Sequence, residues 1–321
     1  MSYLDKGGYK MGLKVKDLVE TYKMDVLTGD SGLDRLIEKS QITRPGLELA
    51  GMFDFYEDDR LQLVGSKEIA FFWWLNEKDQ DIRVDMLFEK RPPAFLFSKN
   101  VDVPQVFIDK GKKYDVPVIK SKLKSSELFS SVYNYLYSAL AERIGVHGTL
   151  VDINGIGVLI RGKSGIGKSE VALELVRRGH QLVADDRVDI YEREIGMLIG
   201  EAPKVLRKYL EIRGIGIVNV VKLFGASAYK DNKKIMLIVE LIPFDLQTDH
   251  DRLGLDDVTE QIFETKVPLV KIPITAARSV PSLIEVAAMN TRLKFLGINM
   301  AHEFTDELTV MMDENKNKNK K

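Results

Sequence analysis

The stretch IGVLIRGKSGIGKSEVALELVRRGH, Ile156 to His180, restricts the fold of this chain more than any other. An apolar strand runs into a glycine-rich loop, and the loop runs into a helix whose apolar residues recur every three or four positions. Gly162, Gly167, Lys168 and Ser169 fill the pattern G-x-x-x-x-G-K-[ST]. In such a loop the glycines let backbone N–H groups turn inward on phosphate oxygens, and the helix start adds partial positive charge. The phosphate cradle comprises Gly162, Lys163, Ser164, Gly165, Ile166, Gly167, Lys168 and Ser169. Lys168 is placed to bridge the β- and γ-phosphates of ATP, and the Ser169 hydroxyl to hold Mg²⁺.

The surrounding sequence extends this frame. HGTLVDINGIGVLIRG offers two strands joined at Asn154-Gly155, a pair that favours the two-residue type I′ turn. QLVADDRVDI predicts a short apolar strand beside the cradle strand, ending in Asp185-Asp186. Carboxylates at such a strand end face the crevice where ligands of open α/β sheets sit. One would hold metal through water and the other take a proton from an attacking hydroxyl; spacing leaves open which does which. LEIRGIGIVNV, Leu210 to Val220, sets Glu211 and Arg213 before two glycines at an expected helix-to-strand passage. Arg252 stands in a polar loop, HDRLGLD, and His147 precedes a strand.

Before residue 135 the chain alternates short apolar runs with turns. AFLFSK (Ala94 to Lys99) and VPVIK (Val116 to Lys120) predict strands. VKDLVETY (Val15 to Tyr22) and the stretch from Ser125 to Ile144 predict helices, the second with an apolar stripe through Leu128, Val132, Leu136 and Leu140. The expectation is α/β in two domains: a small N-terminal α/β domain over 1–135, and a cradle-bearing domain over 136–312. A polar tail, 313–321, is expected to be disordered. Phe304, Leu308 and Met311 lie at helical spacing, for packing on the protein's own core or on a neighbour.

Composition removes several classes of function. Lys plus Arg number 47 and Asp plus Glu 48, so no basic excess supports nucleic-acid binding. The chain has no cysteine, which excludes disulfides, thiolate metal sites and cysteine nucleophiles. No apolar run approaches a membrane span, and a cytoplasmic location is expected.

Taken together, GVHGTLVDINGIGVLIRGKSGIGKSE, LVADDRV, LEIRGIGIVNV, DRLGLD and IEVAAMNTRLK closely resemble the bacterial HPr kinase/phosphorylase family. RPGLELAGMFDFY and RPPAFLFSKN add to the likeness, which covers nearly the whole chain and opens at Met11. The resemblance implies ATP-dependent phosphorylation of a serine on the phosphocarrier protein HPr, reversal with inorganic phosphate, Mg²⁺ as cofactor, and a homohexamer. It matches His147, Lys168, Asp186 and Arg252 to the family's active-site positions, and Ser169 and Glu211 to its metal positions. His147 would contact the transferred phosphate or steady Asp186; both roles stay open. Two rival readings remain, a kinase of a small metabolite and a non-catalytic ATP-binding regulator.

One segment departs from the family. Where a P-x-R-P-G-R-like loop is usual, this chain reads PITAAR, Pro273 to Arg278. Thr275, Ala276 and Ala277 replace an arginine and a Pro-Gly pair, so a planar anion donor and a tight-turn signal are both lost. The expectation is a weakened reverse reaction.

Overall fold

The computed structural model describes residues 12–244, 258–275 and 278–318. The chain divides into two compact units, the first running to Ala141 and the second from Glu142 onward.

In the first unit, strands Ile42–Thr43, Leu61–Val64, Phe95–Phe97 and Val118–Lys120 lie parallel in that order, and Asp25–Thr28 adds an antiparallel edge. Both faces are covered, so the strands read as continuous apolar runs rather than alternating ones. The period-two pleat still sorts them. Leu61, Leu63, Leu96 and Ile119 join one core with Val15 and Leu18, while Val64, Phe95, Phe97 and Val118 join another with Phe88 and Phe107. The helix Val15–Tyr22 forms as expected. The helix expected from Ser125 to Ile144 stops at Leu140, because Ala141 turns extended and Arg143–His147 is recruited as a strand. Its buried Leu128, Val132 and Leu136 belong to the first unit's core. The first compact unit accordingly includes this helix and runs to Ala141.

The second unit is built on a nine-stranded sheet among the described residues. Its main path runs Gln181–Ala184, Thr149–Ile153, Ile156–Gly162, Asn232–Pro243, Met197–Glu201, Arg187–Glu194, Arg143–His147. Thr265–Ile274 also pairs with Asn232–Pro243 and carries Thr259–Ile262. The cradle strand, Ile156–Gly162, is parallel to Asn232–Pro243 and antiparallel to Thr149–Ile153. Asn154 and Gly155 both take positive φ, 49° and 95°, as a type I′ turn requires. This turn corrects one expectation. It folds Thr149–Ile153 against the cradle strand, so Gln181–Ala184 pairs outside it and does not neighbour the cradle strand.

The cradle helix, Lys168–Arg177, buries Ala172, Leu175 and Val176 against Val151, Ile153, Val158 and Ile160 of the sheet. The region Leu210–Val220 is not a helix-to-strand passage. Tyr209–Ile212 and Gly216–Asn219 form an antiparallel hairpin, with Gly214 at φ 80° in its turn. Alternation explains it, since Leu210 and Ile212 enter the core while Glu211 stays exposed. At the C-terminal end, backbone helix extends from Met300 to Lys318, where composition predicts disorder from 313. That run contains no glycine or proline to stop it. Phe304, Leu308 and Met311 are exposed rather than packed in the core.

Gly157 marks the tightest approach in the sheet, because a Cβ there would overlap the backbone carbonyl of Lys234. The parallel register also shifts between Gly157 and Val158. Gly157→Ala should force the cradle strand away from its partner and destabilise the protein by about 1–3 kcal/mol. A lowered urea midpoint at unchanged slope would bear this out, and an unchanged midpoint would refute it.

Candidate active site

The loop that follows the cradle strand leaves Lys163, Ser164 and Gly165 exposed, while Lys168 is buried at its base. Gly167 caps the cradle helix at φ 99°, a conformation that side chains with a Cβ rarely adopt. The Lys168 Nζ donates to the carbonyl oxygens of Gly162 at 3.1 Å and Lys163 at 3.4 Å. Burial pushes this ammonium below its ordinary 10.5, against the opposing pull of Asp185, Asp186 and Glu170.

Lys168 Nζ also lies 3.2 Å from Nε2 of His147. An ammonium can only donate, so Nε2 accepts, and the imidazole proton sits on Nδ1. That nitrogen faces Oδ1 of Asp186 at 3.2 Å. Strand pairing explains the meeting. His147 ends its strand opposite Arg187, so the residue before Arg187 falls beside it, and Gly148 N–H donates to the Asp186 carbonyl at 3.1 Å. Asp186 adopts φ 64°, a left-handed conformation that Asp tolerates better than most residues. Its carboxylate remains 63% exposed.

Asp185 is its opposite in character, buried and fully engaged. Its Oδ1 accepts from Thr149 Oγ1 at 2.6 Å, and its carboxylate accepts from Ser169 Oγ at 2.9 and 3.1 Å. Its Oδ2 also accepts the Glu211 N–H at 3.3 Å. A register shift between Leu182 and Ala184 sets Ala184 opposite Leu150 and so brings Asp185 beside Thr149. The two adjacent acids are thus separated by environment, one anchored under the cradle helix and one open beside His147.

Sequence reasoning noted but did not select two of these residues. Asp185 was legible as half of an acid pair; its buried partnership was not. Arg213 was visible in the same motif as Glu211. The hairpin brings its guanidinium over the loop, where a Cβ at Gly165 would lie 2.9 Å from Nη2. Arg252, Ala276 and Ala277 lie outside the described residues. Thr275 is described, and its buried Oγ1 has no hydrogen-bond partner among the described residues.

The donor set suits a hard divalent cation. Ser169, Asp185 and the neighbouring Glu211 offer oxygen ligands alone, and Mg²⁺ characteristically needs one or two carboxylates plus substrate phosphates. No cluster of three or more His, Cys, Asp or Glu forms a metal cage among the described residues. Among those residues no helix is long and apolar enough to cross a membrane.

Known proteins match this chain along nearly its whole length. The family described as HPr Serine kinase C-terminal domain matches residues 138–308, and HPr Serine kinase N terminus matches 13–136. A protein of Bacillus subtilis (strain 168) named HPr kinase/phosphorylase is 44% identical over 94% of this chain and 97% of its own length. A protein of the same name from Listeria monocytogenes serotype 4a (strain HCC23) is 45% identical over 95% of this chain and 98% of its own. A solved structure titled as the Hpr(Ser) kinase/phosphatase from Coxiella burnetii is 40% identical, covers 50% of this chain and 97% of its own, and gives a TM-score of 0.45.

Lys168 yields a test of its burial. The folded chain releases this proton at lower pH than the unfolded chain, so the unfolded state binds more protons just below pH 10.5 and stability rises through that window. Urea midpoints of wild type and Lys168→Met, compared at pH 7 and near pH 10, should therefore move in favour of wild type at the higher pH. A constant difference would mean that the ammonium is not desolvated. The cradle, the paired acids and matches spanning both units lead to one conclusion: the chain belongs to the HPr serine kinase family.

Proposed function

We propose that this protein transfers the γ-phosphoryl group of ATP to a serine of the phosphocarrier HPr and reverses that transfer with inorganic phosphate. The contact chain Asp186–His147–Lys168 carries the reading. Through the imidazole this chain links an exposed carboxylate to the cation of a phosphate cradle, an arrangement suited to transfer to a hydroxyl. The names of the relatives from Bacillus and Listeria supply the substrate.

In the forward direction the serine oxygen attacks the γ-phosphorus, the bond to the β-phosphate oxygen breaks, and Asp186 accepts the serine proton. His147, held as the Nδ1–H tautomer, orients that carboxylate and passes the field of Lys168 to it. Phosphoryl transfer depends chiefly on positioning and charge neutralisation, so little is asked of the proton acceptor. Lys168 and Arg213 meet the negative charge on the phosphate oxygens, and Arg252 joins them by family resemblance. When bound, Mg²⁺ neutralises charge on the β- and γ-phosphates; Ser169, Asp185 and Glu211 are the residues that would hold it. In the reverse direction hydrogenphosphate attacks the phosphorus of phosphoserine and gives its proton to Asp186, the bond to the serine oxygen breaks, that oxygen takes the proton from Asp186, and pyrophosphate leaves. Action in the cytoplasm and assembly as a homohexamer follow from the same resemblance.

Two assays on one purified enzyme test the reading, one with HPr, ATP and Mg²⁺ and the other with serine-phosphorylated HPr, phosphate and Mg²⁺. The expected result is clear phosphorylation with a weaker reverse reaction, because Thr275, Ala276 and Ala277 stand where the family carries an arginine and a Pro-Gly pair. Replacing these by Arg, Pro and Gly should raise the reverse rate selectively. Equal rates in both directions for the unaltered protein would discard the loop argument alone. Absence of transfer to HPr would overturn the functional reading in favour of a small-metabolite kinase. Asp186→Asn keeps a side chain that accepts the left-handed backbone. It should bind ATP normally while losing on the order of 10²-fold or more of the transfer rate. Undiminished transfer would remove Asp186 from the proton's path.

A further inference from the structure

The first unit contains a cleft lined by none of the residues assigned above to phosphoryl transfer. Its volume is about 610 Å³, and it is lined by Arg44, Ser66, Lys67, Asn100, Lys124 and Ser125, with Ser126, Phe129 and Ser130 at its side. Each of the four parallel strands contributes to it from just beyond its carboxyl end. Arg44 follows Ile42–Thr43, Ser66 and Lys67 follow Leu61–Val64, Asn100 follows Phe95–Phe97, and Lys124 to Ser126 follow Val118–Lys120. Ligands of open α/β sheets collect at that end of the strands.

The lining carries three cations and no carboxylate. The carboxylate behind it, Glu68, is nearly buried and engaged, accepting from Arg44 Nη2 at 2.9 Å and from Gly65 N–H at 2.8 Å. That contact holds the Arg44 guanidinium in place and leaves its other N–H groups for a ligand. Gly65 allows the convergence, since a Cβ there would lie 2.6 Å from Ser125 Oγ and 2.9 Å from Arg44 Nη2. Lys124 occupies the cap position of the sixteen-residue helix Ser125–Leu140, whose first turn receives no capping bond from that side chain. On the rim, Phe129 is 38% exposed, and its ring runs parallel to Tyr133 with centroids 6.1 Å apart.

We propose that this cleft is a second ligand site, for a phosphate monoester bearing a flat organic group. The phosphate lies among Arg44, Lys67, Lys124 and the serine hydroxyls, and the organic group lies against Phe129. The volume falls within the usual range for small-ligand pockets, and the Ser66 and Ser126 hydroxyls beside the cations provide directional donors that a merely solvated basic surface lacks. Ser125 and Ser130 donate to Ser98 Oγ and the Ser126 carbonyl.

The test uses the full-length protein and labelled AMP as probe, with inorganic phosphate as competitor, in equilibrium dialysis at moderate salt. Wild type should bind one AMP in the cleft in addition to any held by the cradle. Lys67→Ala/Lys124→Ala should weaken the cleft's share at least tenfold and leave ATP binding and HPr phosphorylation unchanged. Lys39→Ala/Lys90→Ala, which removes the same charge from the same unit, should leave both kinds of binding intact. Phe129→Ala should weaken AMP but not inorganic phosphate. Identical AMP binding by wild type and Lys67→Ala/Lys124→Ala overturns the proposal, and so does an equal loss in Lys39→Ala/Lys90→Ala. AMP retained in full by Phe129→Ala overturns the placement of the organic group.

Discussion

The buried carboxylate of Asp185 joins three parts of the catalytic unit that are far apart in sequence. It accepts from Thr149 on a sheet strand, from Ser169 on the cradle helix and from the backbone of Glu211 in the hairpin. An unpaired buried carboxylate would cost several kcal/mol, so these donors are conditions of folding as much as of chemistry. Hydrogen bonds to a charged group contribute about 1.5–3 kcal/mol each, and together they offset the desolvation. One anion therefore sets the height of the cradle helix above the sheet and brings the hairpin to the loop.

Asp186 depends on that anchoring. Once Asp185 is held inward, the next residue must turn outward, and φ 64° accomplishes the turn in a single step. The exposed carboxylate then meets His147, whose other nitrogen accepts from Lys168. Two acids of identical chemistry are thereby divided into a structural partner of the cradle serine and an open carboxylate. The proposed second site in the first unit has a related logic, with Glu68 holding Arg44 while leaving its other donors available.

Much of this was legible in the sequence. The cradle, its strand and its helix were readable because glycine spacing and apolar periodicity are local signals. Asn154-Gly155 announced its turn because few dipeptides accept two positive φ values in succession. The helix after Ser125 was readable in kind but not in length, because Arg143–His147 leaves helical geometry to gain a sheet partner. The hairpin over Leu210–Asn219 was missed because its alternation is short and broken by glycines. The position of Gln181–Ala184 was misjudged because strand order depends on which edge the preceding hairpin occupies.

By itself the sequence determined a phosphate cradle, two acids close behind it and a membership legible in several ordered motifs. Those properties reside in residue types at fixed spacing, which the chain carries whether or not it is folded. Tertiary structure alone decided which acid is buried, which tautomer His147 adopts, and that Arg213 stands over Gly165. Each of these follows from donors, acceptors and strands that are distant in sequence, and only long-range pairing brings them within hydrogen-bond reach.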